Sequence, residues 1–296
     1  MTRIIGPEAE PALDWIAVAE AIAAGHTRPK GLIEDVFLRR GSDTLLNRSA
    51  WIDGMGVAVK AATVFPGQSP MINGAVSLFS DATGELEAVL DFHLVTKWKT
   101  AGDSLLAARR LARPDSGTIL IVGAGTVGSS LRQAYGVAFP DAEFLVWNRS
   151  PDGAARFAET HDRVTVADSL ADAIGQADIV TCATMTTEPI IRGDWLTPGT
   201  HLDLIGAYRP DMREADDTAL TRSRIFVDST DTTIGHIGEL KDPIARGVIA
   251  RSDVVADYYD LDAVTRQTDD EITLFKNGGG AHLDLMVARY ILDALA

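Results

Sequence analysis

An apolar run, Ile119–Val122, leads without interruption into Gly123-x-Gly125-x-x-Gly128. No other stretch of the chain restricts its fold so tightly. The order reads as a strand, a tight turn and the start of a helix. Each glycine has a separate job in that reading. Gly123 allows the turn, Gly125 lets backbone approach a pyrophosphate, and Gly128 lets the helix pack closely on the strand. The backbone N–H groups of Thr126 and Val127 then lie at a helix N-terminus, where they suit phosphate oxygens. A glycine pattern alone is a weak signal, but this one stands in the context its mechanism requires.

The next apolar run, Glu143–Trp147, ends in Asn148-Arg149-Ser150. A unit that binds NAD usually carries Asp or Glu at this strand end, to accept hydrogen bonds from the ribose 2′-hydroxyl. No carboxylate stands there. The Arg149 guanidinium and the Ser150 hydroxyl instead match a 2′-phosphate. The expected cofactor is therefore NADPH; Asp152, close by, keeps NADH as the alternative. Arg149 also reads as an ordinary solvated loop residue.

The strands expected after this point are 118–122, 143–147, 164–166, 178–183, 200–206 and 224–228, mostly separated by helices. That alternation predicts an α/β fold with a Rossmann-type, doubly wound parallel sheet. Ligands of such sheets bind beyond the C-terminal strand ends, which adds Thr184 and Gly206 to the expected cofactor contacts. Upstream, residues 11–25 have helical spacing, 50–52 and 57–65 read as strands, and 75–79 with 86–90 flank a turn at Asp81–Gly84. A helix is expected over 96–112 and another over 281–294, and the region after 235 reads as mostly helical. Arg113–Gly117 (RPDSG) reads as a linker between the upstream region and the alternating one.

Composition narrows the partners. A formal charge of −15 on 296 residues repels a phosphate backbone, so nucleic acid is not expected. The single cysteine, Cys182, lies in an apolar run and reads as a buried thiol. It excludes an intramolecular disulfide or a cysteine metal cluster. No stretch approaches the ~18 apolar residues of a membrane span, and the N-terminus lacks a signal-peptide pattern. The expected location is the cytoplasm, with no membrane partner. No His/Asp/Glu spacing suggests a metal site, and there is no Gly-x-Ser-x-Gly elbow.

From about residue 54 to its end the chain resembles the ornithine cyclodeaminase/mu-crystallin family. The matching segments are Gly56–Thr63 (GVAVKAAT), Thr96–Ser104 (TKWKTAGDS), Gly123–Gly125, Ala177–Thr184 (ADIVTCAT), Gly206–Glu214 (GAYRPDMRE) and Phe275–Gly278 (FKNG). The resemblance implies a homodimer in which a nicotinamide-binding domain, expected over 114–269, is inserted into an α/β substrate and dimerisation domain, expected over 1–113 plus 270–296. It also implies a small α-amino or cyclic α-imino acid substrate. Two positions depart from the family pattern. Tyr208 stands where cyclodeaminases carry an aspartate, and Lys99 replaces the usual arginine, keeping the charge but losing the bidentate fork. GAYRPDMRE is more similar to the ketimine reductases of the family. The expected reaction is NAD(P)H-dependent reduction of Δ1-pyrroline-2-carboxylate to L-proline, or of Δ1-piperideine-2-carboxylate to L-pipecolate. Ornithine cyclodeaminase and a non-catalytic NADPH-binding protein are the alternatives.

Reducing a cyclic imino acid requires a cation to clamp the carboxylate and an acid near neutral pKa to protonate nitrogen. Lys60 is the first candidate, because a lysine inside an apolar strand is costly unless paired or functional. The resemblance also implies a substrate-contacting lysine there. The alternative is a side chain that faces water. Lys99 is the second cation, or else an exposed lysine. Asp284 resembles the aspartate after the family's C-terminal glycine segment and would orient a lysine or a water. An acid in a first helical turn is equally explained by the helix dipole. Arg39, Arg40 and Arg48 are candidates for a second carboxylate clamp, with Arg48 favoured, although 28–50 reads as truncated against the family pattern. His93 and His282 are alternative acids, although both read first as hydrogen-bonded structural histidines.

Overall fold

The computed structural model describes residues 1–296. They form two units, Met1–Gly102 with Gly280–Ala296, and Asp103–Gly279.

The first unit contains β1 (Arg3–Ile5), α1 (Trp15–His26), β2 (Leu32–Arg40), β3 (Asp43–Ile52), β4 (Gly56–Val64), β5 (Ile72–Phe79) and β6 (Leu86–Asp91). Helix α2 (Phe92–Leu111) follows at once, and the boundary between the units falls inside it. Strands β2 to β6 form an antiparallel meander, and β1 adds in parallel beside β6. Side chains alternate faces along a strand. On β4 this puts Ala58, Lys60 and Ala62 on the buried face. Helix α1 starts at Asp14, whose carboxylate accepts the Ala17 N–H at 2.8 Å, and it buries Val18, Ala19 and Ile22. Its Gly25 is in close contact with the C-terminal helix: an added Cβ would come within 2.5 Å of the Met286 sulfur.

The second unit runs β7 (Thr118–Val122), α3 (Thr126–Ala138), β8 (Glu143–Trp147), α4 (Pro151–Thr160), β9 (Val164–Val166), α5 (Leu170–Gln176), β10 (Ile179–Cys182) and β11 (His201–Leu204). It continues with α6 (Asp217–Thr221), β12 (Ser223–Val227), α7 (Thr230–Thr233), α8 (Gly238–Ala245), β13 (Val254–Ala256) and β14 (Ile272–Lys276). The last helix, α9 (Ala281–Ala294), returns to the first unit and lies against β3 and β4. All eight strands of the second sheet are parallel, in the order β13-β12-β14-β11-β10-β7-β8-β9. From β7 the chain steps to β8 and β9 on one side, then crosses to β10 and β11 on the other. The strand order therefore reverses beside β7, the point where such sheets take a dinucleotide. Leu120, Val122, Ile174, Val180, Leu202, Leu204 and Leu274 pack into the core of this unit.

The α/β architecture and its Rossmann-type sheet agree with the sequence, and the bounds of β7, β8 and β9 coincide with the expected ones. Three features differ. Ile272–Lys276, expected in the substrate domain, is hydrogen-bonded between β11 and β12, so the second unit extends to Gly279. Residues 103–113, likewise expected upstream, belong to the second unit. The stretch 28–50, which reads as truncated, is a hairpin in which β2 pairs with β3 from Leu32↔Trp51 to Arg40↔Asp43. Its apolar residues at 32, 33, 36, 37 and 38 follow no strand alternation, and all nine residues of β2 are exposed. No helix is long and apolar enough to cross a membrane.

Candidate active site

The first unit gathers charge around one buried carboxylate. Lys60 projects from the buried face of β4, and its Nζ lies 3.0 Å from Asp284 Oδ1. The same ammonium donates to the Thr96 hydroxyl at 2.8 Å and sits 4.5 Å from the centre of the Phe92 ring. Lys99 Nζ, one turn beyond Thr96 on α2, is 3.6 Å from the same Asp284 oxygen. Arg48 is the cross-strand neighbour of Lys60 in the β3–β4 register. Its guanidinium meets the Asp35 carboxylate at 2.9 to 3.1 Å.

This arrangement shifts two protonation equilibria. Burial lowers the Lys60 pKa to about 8, with Asp284 opposing the fall and the Lys99 and Arg48 charges adding to it. Burial alone would raise the Asp284 carboxyl. Lys60, Lys99 and Arg48 outweigh that and hold it below the ordinary carboxylate range. The result is an ammonium that titrates near neutral pH beside a carboxylate that stays ionised, with two further cations close by.

The second unit supplies a cradle at the C-terminal end of β7. Gly123 has φ +111°, a backbone shape that glycine adopts without strain. Its N–H donates to the Trp147 carbonyl at 2.9 Å. A Cβ on Gly128 would come within 2.2 Å of the Gly123 carbonyl, so helix and turn touch there. A Cβ on Gly125 would meet nothing within 4 Å. Gly125 is the N-cap of α3 and offers no side-chain cap, which leaves the first-turn N–H groups of Thr126 and Val127 to an outside acceptor. Open space beside uncapped N–H groups fits a pyrophosphate. At the end of β8, the Asn148 side chain accepts from the Ala124 N–H at 3.2 Å and donates to the Ser150 carbonyl at 3.0 Å. The Ser150 hydroxyl caps α4 through the Gly153 N–H, and Arg149 is exposed beside it.

Lys60, Lys99, Asp284 and Arg48 thus meet within one unit. Lys60 and Lys99 are buried rather than water-facing, and Asp284 pairs with lysines instead of serving only the helix dipole. Arg39 and Arg40 lie at the hairpin tip, where Arg40 pairs with Asp43 at 2.9 Å. They stand four or five residue pairs from Arg48, about 13 Å or more along the strand. His93 is exposed, with its ring edge against Phe92. His282 is buried, 5.3 Å from the His26 ring, and burial holds its pKa well below the usual imidazole value. Cys182 is buried at the end of β10. Gly123, Gly125, Thr126, Val127, Gly128, Asn148, Arg149, Ser150, Thr184 and Gly206 all lie at or just beyond strand ends β7, β8, β10 and β11. Sequence reasoning missed Thr96, whose one signal is its position three residues before Lys99 on a helix, and the carboxylate of Glu214.

Residues 58–296 match the ornithine cyclodeaminase/mu-crystallin family. A Δ1-pyrroline-2-carboxylate reductase of Paracoccus denitrificans is 50% identical over 296 residues, spanning 96% of this chain and 94% of that protein. The ketimine reductase mu-crystallin of Mus musculus is 31% identical over 244 residues, or 80% of this chain and 76% of the mouse protein. Among solved structures, Thermococcus litoralis Δ1-pyrroline-2-carboxylate reductase in complex with NADH and L-proline gives a TM-score of 0.89 at 24% identity. That likeness spans 99% of this chain and 97% of the other. At that identity it speaks for the fold.

Proposed function

The chain belongs to the ornithine cyclodeaminase/mu-crystallin family, and within it we propose an NAD(P)H-dependent ketimine reductase that converts Δ1-pyrroline-2-carboxylate to L-proline. The six-membered homologue, Δ1-piperideine-2-carboxylate, is the second substrate. The observation that carries this reading is the buried Lys60–Asp284 pair with Lys99 and Arg48 around it.

The reaction adds one hydride and one proton across C=N. When bound, the reduced nicotinamide supplies the hydride to the ring carbon. Lys60 holds the proton destined for the ring nitrogen, at an Nζ whose pKa near 8 suits transfer around neutral pH. Asp284 keeps that ammonium charged until transfer. Lys99 and Arg48 take the substrate carboxylate, and two cations offset the cost of drying it. Gly123, Gly125, Thr126, Val127 and Gly128 hold the pyrophosphate, with Asn148, Ser150, Thr184 and Gly206 completing the cofactor contacts. Tyr208, half exposed, puts a phenol where cyclodeaminases carry a carboxylate, so ammonia release from ornithine is not expected.

We assign NADPH as the preferred dinucleotide because Arg149 is exposed at the end of β8, with no carboxylate on Asn148 or Ser150 to receive a ribose hydroxyl. Absorbance at 340 nm with Δ1-pyrroline-2-carboxylate should fall with either dinucleotide, faster with NADPH, and yield L-proline. Arg149→Glu should raise the NADPH KM about 10–100-fold, the worth of a charged hydrogen-bonded contact, and leave the NADH KM near its starting value. No oxidation with either dinucleotide would remove the reductase reading.

The active form we propose is a homodimer in the cytoplasm, acting in proline metabolism. Strand β2 is a long sheet edge with Leu32, Val36, Phe37 and Leu38 at 77%, 45%, 50% and 59% exposure. Such an edge invites aggregation unless another chain covers it, and a second copy is the commonest cover. Light scattering after size exclusion should report two chains for the wild type and one for Phe37→Asp. A monomeric wild type would exclude the dimer.

A further inference from the structure

In the second unit, Glu214 is fully buried and its carboxylate is saturated. Oε1 accepts the Thr184 N–H at 2.8 Å and the Thr184 hydroxyl at 2.9 Å. Oε2 accepts the Gly206 N–H at 2.6 Å and the Ala207 N–H at 3.3 Å. The first pair belongs to the loop after β10, the second to the loop after β11. Both loops leave the sheet on the β10–β11 side of β7, opposite the β8 end that carries Arg149. In a sheet of this topology that side takes the nicotinamide half of a dinucleotide.

We propose that Glu214 is a positioning residue for the nicotinamide half of the cofactor, tying the loop after β10 to the loop after β11 through one carboxylate. The proposal rests on the dinucleotide reading given above. Four donors fill the roughly four acceptor sites of an ionised carboxylate, so no capacity remains for a ligand. Glu214 therefore acts through Thr184, Gly206 and Ala207.

The surrounding packing transmits that effect. A Cβ on Gly206 would lie 1.8 Å from the Thr184 carbonyl, so the two loops are in direct contact and only glycine fits. A Cβ on Gly123 would lie 2.8 Å from the Ala183 carbonyl, which brings the pyrophosphate turn against the same loop. Glu214 is itself held from behind. The buried Glu239 carboxylate accepts the Glu214 N–H at 2.7 Å and the Ala215 N–H at 3.0 Å. Lys276, also buried, supplies positive charge near Glu239, while its Nζ donates to the Leu204 carbonyl at the end of β11 at 2.9 Å. A cluster of buried ionic groups that satisfied only itself would have no need to reach two loops at ligand-side strand ends.

Glu214→Gln replaces one acceptor oxygen with a donor NH2. One loop then faces donor against donor. NADPH affinity, read from its fluorescence on titration, should weaken by about tenfold or more. A probe of the adenosine half alone, 2′,5′-ADP, should bind within about twofold of wild type, because its contacts lie on the β8 side. Glu271→Gln alters a carboxylate of the same unit that pairs with Arg224 just before β14, at the sheet end opposite the two loops, and should change both affinities by less than about threefold. A merely structural role would weaken both ligands alike, or make the two variants equivalent; either result overturns the proposal, as does an unchanged NADPH affinity in Glu214→Gln. If Glu214→Gln does not fold, Glu214→Asp keeps the charge and is one methylene too short to serve both loops. It should show the same contrast between NADPH and 2′,5′-ADP, and equal binding of NADPH by Glu214→Asp and wild type overturns the proposal. A wild type that binds neither NADPH nor NADH removes the dinucleotide reading, and this proposal with it.

Discussion

Lys60→Met should reduce kcat/KM for Δ1-pyrroline-2-carboxylate by about 10³-fold, within the usual range for losing a positioned proton donor. The dissociation constant for NADPH should stay within about twofold, because the contacts of Lys60 are with Thr96 and Asp284 and not with the dinucleotide cradle. Methionine keeps most of the length and apolar stem, so packing against Phe92 survives while the Thr96 and Asp284 contacts are lost. The pH profile carries the sharper test. The active form of Lys60 is the ammonium, and burial has brought its pKa down from the ordinary lysine value to about 8. Wild-type kcat/KM should therefore be sustained below pH 8 and fall as pH rises through it. In Lys60→Met the residual rate should lack that limb. Turnover equal to wild type would remove Lys60 from proton transfer. A descending limb that persists unchanged in the variant would assign it to another group.

How far the sequence discloses this site depends on how local each signal is. The Gly123 turn is legible because its requirements are met within a few residues: a positive φ at 123, open space at 125 and a backbone contact at 128. Strands β7, β8 and β9 are legible because they are short apolar runs between turn residues. Lys60 stands out as a charge in an apolar strand, but its partner Asp284 is 224 residues away in the chain. Only the family resemblance links the two before the fold is known. The β2 strand is not legible. A strand exposed on both faces has no periodic pattern to impose, and Leu32, Ile33, Val36, Phe37 and Leu38 lie closer to helical spacing. Ile272–Lys276 reads as a short apolar run, yet nothing local says which strands it pairs with. Glu214 is the extreme case. Its partners are backbone groups at 184, 206 and 207, and backbone leaves no residue-type signature.

Asp284→Asn should be the costliest single change in the first unit. The carboxylate is the common partner of Lys60 at 3.0 Å and Lys99 at 3.6 Å, with its side chain only 1% exposed. Asparagine can still accept one hydrogen bond from Lys60, but the negative charge is gone. Removing one member of a buried pair costs about 3–5 kcal/mol, because the remaining charge is left uncompensated. For a chain of this size that corresponds to a fall in Tm on the order of 10 °C. The loss should depend on pH in a defined direction. Without Asp284, the folded-state pKa of Lys60 falls below its wild-type value of about 8, while the unfolded chain keeps an ordinary lysine value. Between those two values the unfolded state binds more protons, so stability of the variant rises with pH across that window. Wild type gains stability in the same way only above its own value of about 8, so the gap in Tm should narrow as pH rises to about 8 and stay constant above it. Activity should move the opposite way: the descending limb of kcat/KM should shift from near 8 towards lower pH, since the ammonium is lost sooner. Thermal melts and kcat/KM measured over the same buffers report both effects together. An unshifted limb would show that Asp284 does not control the Lys60 proton, whatever the stability loss.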